Sequence, residues 1–345
     1  MNKGRPTTDR AETNVVVIGG GTGLSVLLRG LKHHTQHITA IITVADDGGS
    51  SGKLRRELGI LPPGDFRNCI AALANDENLI TQLFQYRFSA GQGLEGHNFG
   101  NLFITAMAAV TGSFEKALYE SGRVLNIQGV ILPSTLEDIQ LNAEVRAGAH
   151  TRKVEGESAI PEARLPIERV YLTPDDPRAF PPALQALLNA DLIVAGPGSL
   201  YTSIMPNLLV REIARAIQAS EAKKIYICNV ATQPGETDGY SLVDHIRAIE
   251  AHTNFIDDSY YAPEMGAGER PRQPGYLFDF VLANNNLSRP IPASMSHLQA
   301  IRPLPEQVYD HYQVIEADVV DETYPWRHDS QKLANQLMAW YKTVR

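Results

Sequence analysis

Cysteine is scarce in this chain: the two present, Cys69 and Cys228, lie far apart, without metal-ligand spacing and inside apolar segments. A disulfide framework and a thiolate metal centre are therefore excluded as organising features, and both residues read as buried thiols of a reducing, cytoplasmic protein. No apolar run approaches the roughly 20 residues that cross a bilayer. The opening stretch, MNKGRPTTDRAETN, lacks the apolar core of a signal peptide and reads as a polar tail over residues 1–13. A basic surplus is missing as well: 31 Lys and Arg against 39 Asp and Glu leave a net charge of −8. That balance argues against a nucleic-acid partner, because phosphate neutralisation needs a basic field. A small anionic ligand, held by a few amides and one or two arginines, remains open. No Ser/His/Asp arrangement is apparent, which disfavours hydrolysis through a nucleophilic serine.

What is present is an ordinary globular composition, 43% hydrophobic and 20% charged over 345 residues. That length suits one large α/β domain or two smaller ones. Apolar runs that read as strands alternate with segments of helical period, the pattern of a parallel sheet covered by helices. NVVVIG predicts a buried first strand, and Leu24, Leu27, Leu28 and Leu31 then fall on one helix face. ITAIITVADD predicts a second strand ending on two carboxylates. Residues 66–88 and 101–119 carry helical periodicity. From 127 to 175 short alternating runs such as IQLNAEVRA and IERVYL predict a small, mainly antiparallel β insertion. Strand–loop–helix logic resumes over 176–325. A Pro- and Gly-rich stretch at 262–275 reads as a mobile connection, and 326–345 as a terminal amphipathic helix. The nucleotide-binding part would span 14–126.

Five stretches could carry chemistry. Gly19, Gly20, Gly21, Thr22 and Gly23 join the first strand to a helix, which aims unpaired amides and a positive dipole end at one point, a phosphate site. The dinucleotide fingerprint fails at Leu24, and no Gly-Lys-Ser/Thr makes a P-loop. The alternative is a tight turn that exploits glycine's tolerance of positive φ. In TVADDGGSSGKLRRELGILPPGDFRN, the carboxylates Asp46, Asp47 and Asp65 form a donor set that suits Mg²⁺, which shares oxygen ligands between protein and substrate. Asp46 could instead grip a ribose hydroxyl, and Asp65 could cap the helix at 66–74. Ser50 and Ser51 read as ligand-contacting hydroxyls. Lys53, Arg55 and Arg56 read as a solvated helix face, whereas Arg67, beside Asn68 in the turn, is placed to meet an anion. His97 and Asn101 lie in a glycine-rich lead-in to a helix, where a structural hydrogen bond competes with a catalytic role. Gly198, Ser199 and Tyr201 follow another strand. Asn229 opens a polar stretch, 229–239, that is either a ligand loop or a surface loop with Thr237 or Asp238 capping the next helix.

With those blocks in view, GGGTGL, TVADDGGSSGKLR, LPPGDFRN, GHNFGNL, AGPGSLYTSIMPNLL and NVATQPGET resemble, in order and from residue 15 to about 240, the CofD-like superfamily. The resemblance implies a Rossmann-like sheet with a nucleotide site at its carboxyl edge. It also implies the founding activity of that superfamily, a Mg²⁺-assisted transfer of a phospholactyl group from a guanosine diphosphate donor to a deazaflavin. Asp46, Asp47 and Asp65 match that pattern's acidic positions, with Asp47 and Asp65 catalytic if a transferase is present. The doubled Gly and Ser of DDGGSSGKLR instead mark the gluconeogenesis factor branch. That branch is associated with nucleotide-sugar binding, growth on gluconeogenic carbon and cell shape, and is not tied to a reaction. The expectation is a regulatory binder of a UDP-type sugar nucleotide, with GDP or NAD as alternative ligands and Mg²⁺ as cofactor. A homo-oligomer and regulatory protein partners are expected alongside. Transferase chemistry is the second hypothesis and an NAD-dependent oxidoreductase the third.

Overall fold

The computed structural model describes residues 13–75, 79–254, 276–303 and 311–345. The expected polar tail, apart from Thr13, and the 262–275 connection lie outside the described residues. Strands come in the order β1 (Val15–Gly19), β2 (Ile38–Ile42), β3 (Val130–Pro133), β4 (Gln140–Ala147) and β5 (His150–Glu155). They continue as β6 (Ile167–Thr173), β7 (Leu192–Ala195), β8 (Lys223–Ile227), β9 (Phe280–Asn284) and β10 (Gln313–Ala317). The helices are α1 (Gly21–Leu31), α2 (Gly49–Leu58), α3 (Gly64–Leu73), α4 (Leu79–Gln85), α5 (Phe99–Thr111) and α6 (Phe114–Val124). After them come α7 (Ala159–Glu162), α8 (Pro181–Leu188), α9 (Met205–Leu208), α10 (Arg211–Ala219), α11 (Leu242–Thr253) and α12 (Ser330–Val344).

Seven strands form one parallel sheet in the order β10-β9-β8-β7-β1-β2-β3. Every residue of β1, β7 and β9 is buried. Helices cover both faces of such a sheet, so its central strands read as unbroken apolar runs rather than as alternation. The order matters for function. From β1 the chain steps outward to β2 and β3, then returns to place β7 on the other side of β1. The crevice between β1 and β7 is the topological switch point where open α/β sheets bind ligands.

A second sheet, β5-β4-β6, is antiparallel and forms the expected insertion. Its boundary needs correction. Residues 130–133, assigned to the insertion by sequence, form β3 and pair in parallel with β2. A four-residue apolar run, VILP, carries no periodicity that separates a parallel edge strand from an antiparallel one. The two long helical stretches are also interrupted. The first divides into α3 and α4, and the second breaks at Gly112, which adopts φ 78° as the C-cap of α5, with Ser113 as the N-cap of α6.

Candidate functional site

A cleft of about 610 Å³ opens at the carboxyl edge of the sheet, walled by the loops after β1 and β7. Leaving β1, the chain passes through Gly20 with extended backbone and then Gly21 at φ +64°, a left-handed conformation that glycine adopts without steric cost. Gly23 faces the opposite loop so closely that a Cβ there would stand 2.6 Å from the Pro197 carbonyl oxygen and 2.9 Å from Gly198 Cα. Two backbones therefore touch across the switch point, which explains why more glycines occur than one turn requires. Asn207 braces them: its Nδ2 donates to the carbonyls of Gly19 (3.0 Å) and Ser203 (2.8 Å). Gly19 thus ends the strand inside the brace, while Gly20, Gly21, Thr22 and Gly23 line the cleft.

Gly20 supplies no side-chain cap to α1. Asp65 takes that role from α3: its carboxylate accepts the Gly21 amide, and a Cβ on Gly20 would stand 2.5 Å from Asp65 Oδ2. The expectation that Asp65 caps its own helix is corrected, since Pro63 occupies that position and Asp65 caps the neighbouring one. Burial, with the nearby Asp46 charge second, pushes its carboxyl up to about 7 against the pull of the Gly21 amide and Arg67. Asp46 lines the same wall, accepting the Gly48 amide at 3.0 Å and a hydrogen bond from Ser51. Its carboxyl is also raised, chiefly by burial.

Asp47 points elsewhere. Its Oδ2 and Oδ1 accept the amides of Glu157 and Ser158, each at 2.9 Å, and it is absent from the cleft lining. The three aspartates therefore do not converge, and among the described residues no three acidic, His or Cys side chains gather as a metal cage. Successive residues at a strand end point to opposite sides, so adjacent carboxylates divide their work: Asp46 faces the ligand crevice and Asp47 anchors the insertion. Arg55 acts with Asp47. It pairs with Asp138 and the Ile139 carbonyl, its side chain 13% exposed, which corrects its expected place on a solvated face.

The anchored turn carries a residue that sequence analysis missed. Glu157 reaches the cleft, where burial and the charges of Asp46, Asp65, Asp47 and Glu236 push its carboxyl up to about 8. Nothing in VEGES signals this, because only the Asp47 clamp turns it inward. Glu236 is the second acidic residue missed. It accepts the amides of Tyr201 (3.1 Å) and Thr202 (3.2 Å) and the Thr202 hydroxyl (3.0 Å), filling the start of the helical segment after β7. That segment opens as a π-helix, Leu200–Ile204, a distortion that recurs at functional sites. Tyr201 turns inward, 2% exposed, with its hydroxyl 2.8 Å from that of Tyr240.

Ser199, Gly198 and Asn229 line the far wall. Asn229 Nδ2 donates to the Gly198 carbonyl (2.9 Å) and to Gln233 Oε1 (3.0 Å), and Gln233 Nε2 donates to Ser199 Oγ (2.8 Å). Stretch 229–239 is thus part of the cleft. Thr237 and Asp238 hold its turn by accepting the Gln233 and Gly235 amides, while Ser241 and Asp244 form the capping box of α11. Trp326, Arg327 and His328 close the cleft from the segment before α12. Sequence distance hid them. Burial holds the His328 imidazole down to about 4, so it is neutral at neutral pH, with Nε2 3.2 Å from the Cys228 carbonyl oxygen.

The remaining expected contacts form a separate buried network behind the Asp46 wall. Ser50 Oγ receives Asn101 Nδ2 (3.1 Å) and the Asn98 amide (3.4 Å), leaving its proton for His97 Nδ1 at 3.1 Å. Gly48-Gly49-Ser50-Ser51-Gly52 carries the spacing of a nucleophile elbow, yet Ser50 is 5% exposed inside α2 and its oxygen is occupied. Arg67 Nη2 donates to Asn68 Oδ1 at 2.7 Å, and its Nε is buried without a partner. Burial, then the neighbouring Arg87, lowers its guanidinium pKa. None of Ser50, Ser51, Arg67, Asn68, His97 and Asn101 lines the cleft; they position its acidic wall from behind. Among the described residues no helix is long and apolar enough to cross a membrane.

The comparison with known proteins agrees with this geometry. The family model described as 2-phospho-L-lactate transferase CofD matches residues 15–340. The gluconeogenesis factor of Bacillus subtilis is 45% identical over 326 residues, covering 94% of this chain and 96% of that one. The gluconeogenesis factor of Halalkalibacterium halodurans is 55% identical over 247 residues, 71% of this chain and 76% of that one. A crystal structure of a UPF0052-family protein from Bacillus halodurans superposes with a TM-score of 0.82 at 43% identity, covering 95% and 99% of the two chains. Matched along nearly its whole folded length, this chain belongs to the CofD family, alongside the relatives named gluconeogenesis factor.

Proposed function

We propose that this protein binds a nucleotide diphosphate sugar in the β1/β7 cleft and acts as a regulatory protein supporting gluconeogenic growth and cell shape. The observation that carries the reading is the cleft itself: a glycine loop and the start of α1 at the switch point, facing a wall rich in hydrogen-bonding groups. Amides of Thr22 and Gly23 would steady the diphosphate. Asn229, Gln233 and Ser199 offer the amide and hydroxyl groups that recognise a base or sugar.

Charge adds a condition. Asp46, Asp65, Glu157 and Glu236 line the cleft, with Arg327 as the cationic side chain in the lining. A diphosphate entering alone would meet net repulsion. The donor set fits Mg²⁺: Asp46 and Asp65 are hard oxygen ligands, buried and each raised by burial and by a neighbouring carboxylate's charge. When bound, that ion would neutralise the diphosphate and the two aspartates together. Asp47 has no part in it. Titration calorimetry with UDP-N-acetylglucosamine and other sugar nucleotides, with Mg²⁺ and with EDTA, tests the proposal. Saturable heat that EDTA diminishes is expected, and flat heats for every sugar nucleotide from folded protein would remove it.

The family match favours a second reading, a transferase moving a phospho-linked group from a nucleotide diphosphate donor. In that case Asp65 and Glu157, both protonated near neutral pH, are the groups placed to exchange a proton with an acceptor hydroxyl. Incubation with donor, Mg²⁺ and deazaflavin distinguishes the two: product supports transfer, and binding without product leaves the regulatory reading.

A further inference from the structure

Helix α5 is unusual for a surface element. Of its thirteen residues, FGNLFITAMAAVT, three are buried, Gly100, Asn101 and Ile104, although the helix contains no ionisable residue. The uncharged stretch runs from Asn98 to Ser113. Ala106, Ala109 and Val110, at helical spacing, are exposed, and Val110 shows 82% of its surface. The adjoining α4, equally free of charge, exposes Leu79 (76%), Ile80 and Leu83, and Tyr86 and Leu94 beyond it are exposed too. Solvated helices ordinarily present a polar outer face. Here two neighbouring helices present apolar ones.

We propose that this α4–α5 face is the interface with a second copy of the chain. The area carries the argument. At roughly 150–250 Å² for a fully exposed large side chain, Leu79, Ile80, Leu83, Tyr86, Leu94 and Val110 leave about 600 Å² of mostly apolar surface. That is most of the roughly 800 Å² each partner contributes to a standard interface, and it exceeds an ordinary monomer patch. With no charge on either helix, no oppositely charged partner is selected. The chemistry matches the more apolar class of interfaces, those between identical subunits. A twofold axis makes such a face complementary to itself, and the small Ala106 and Ala109 let two α5 helices approach closely. The interface would lie behind Asn101, which holds Ser50 in the network supporting the acidic wall.

Sedimentation velocity from low micromolar to about 100 µM tests this by mass action. The wild-type chain is expected at twice its 37.9 kDa mass. Leu79→Glu with Val110→Glu is expected to sediment as a monomer with unchanged far-UV circular dichroism, and Ala109→Arg provides a second, independent disruption should that pair fold poorly. Amides of 79–86 and 99–111 should gain exchange protection as concentration rises. A wild-type monomer throughout, or a dimer that survives both folded variants, would overturn the assignment.

Discussion

Replacing Asp65 with asparagine isolates the electrostatics of the cleft. In the folded chain this carboxyl is pushed from 3.8 to about 7, burial being the main cause. The folded state therefore keeps a proton that the unfolded state releases. The sign follows: this contribution to stability is fully present below about pH 4 and is lost as pH rises through about 7. At about 1.36 kcal/mol for each pH unit between the two values, the loss is at most ~4 kcal/mol. Asparagine keeps an oxygen for the Gly21 amide and carries no charge. Urea unfolding in metal-free buffer, compared between about pH 5 and about pH 8.5, should show the variant gaining ~2–4 kcal/mol on the wild type as pH rises. Histidines such as His328 cancel in that difference, because both proteins carry them. Glu157, raised to about 8 for similar reasons, should leave a residual slope that Glu157→Gln removes. A stability difference that stays constant across the range would refute the reasoning.

Gly23→Ala drives a methyl group into the Pro197 carbonyl and Gly198 Cα, with backbone on both sides and no flexible atom to yield. A loss of ~2 kcal/mol by urea unfolding is expected, together with loss of sugar-nucleotide heat in calorimetry. Asp47→Ala removes two charge-assisted bonds to the Glu157 and Ser158 amides. About 2–4 kcal/mol of local stability should go, visible as faster hydrogen exchange over 140–173, while the heat of Mg²⁺ titration survives. Asp46→Ala should reverse that pattern, diminishing the Mg²⁺ heat and leaving exchange in the insertion unchanged.

Much of the architecture was legible along the chain because its causes are local. VVVIG and LIVA are buried on both faces, and continuous apolar runs announce that without reference to neighbours. The glycines at 19–23 and 196–198 announced close backbone approach, since no other residue tolerates it, but which backbone approached which required the sheet order. Local pattern also placed Asp46, Asp65, Ser199 and Asn229 near strand ends, where they line the cleft. It could not separate Asp46 from Asp47, because side-chain direction at a strand end depends on register with the neighbours.

Tertiary structure alone decided the rest. Glu157 enters the cleft because Asp47, more than a hundred residues earlier, clamps the turn that carries it. Glu236 caps a helical segment that begins thirty-six residues before it in the sequence, and Arg327 and His328 arrive from the segment before the last helix. Serines and the histidine of the GGSSG and GHNFG blocks looked like ligand contacts and instead hydrogen-bond one another in the layer behind. The amino-acid order determined which residues form strands, tight turns and amphipathic helices, because those follow from steric freedom and hydrophobic period over a few residues. Charge sharing in the cleft, and the direction each carboxylate faces, were fixed only by packing, because burial and Coulomb energy depend on distance in space and not along the chain.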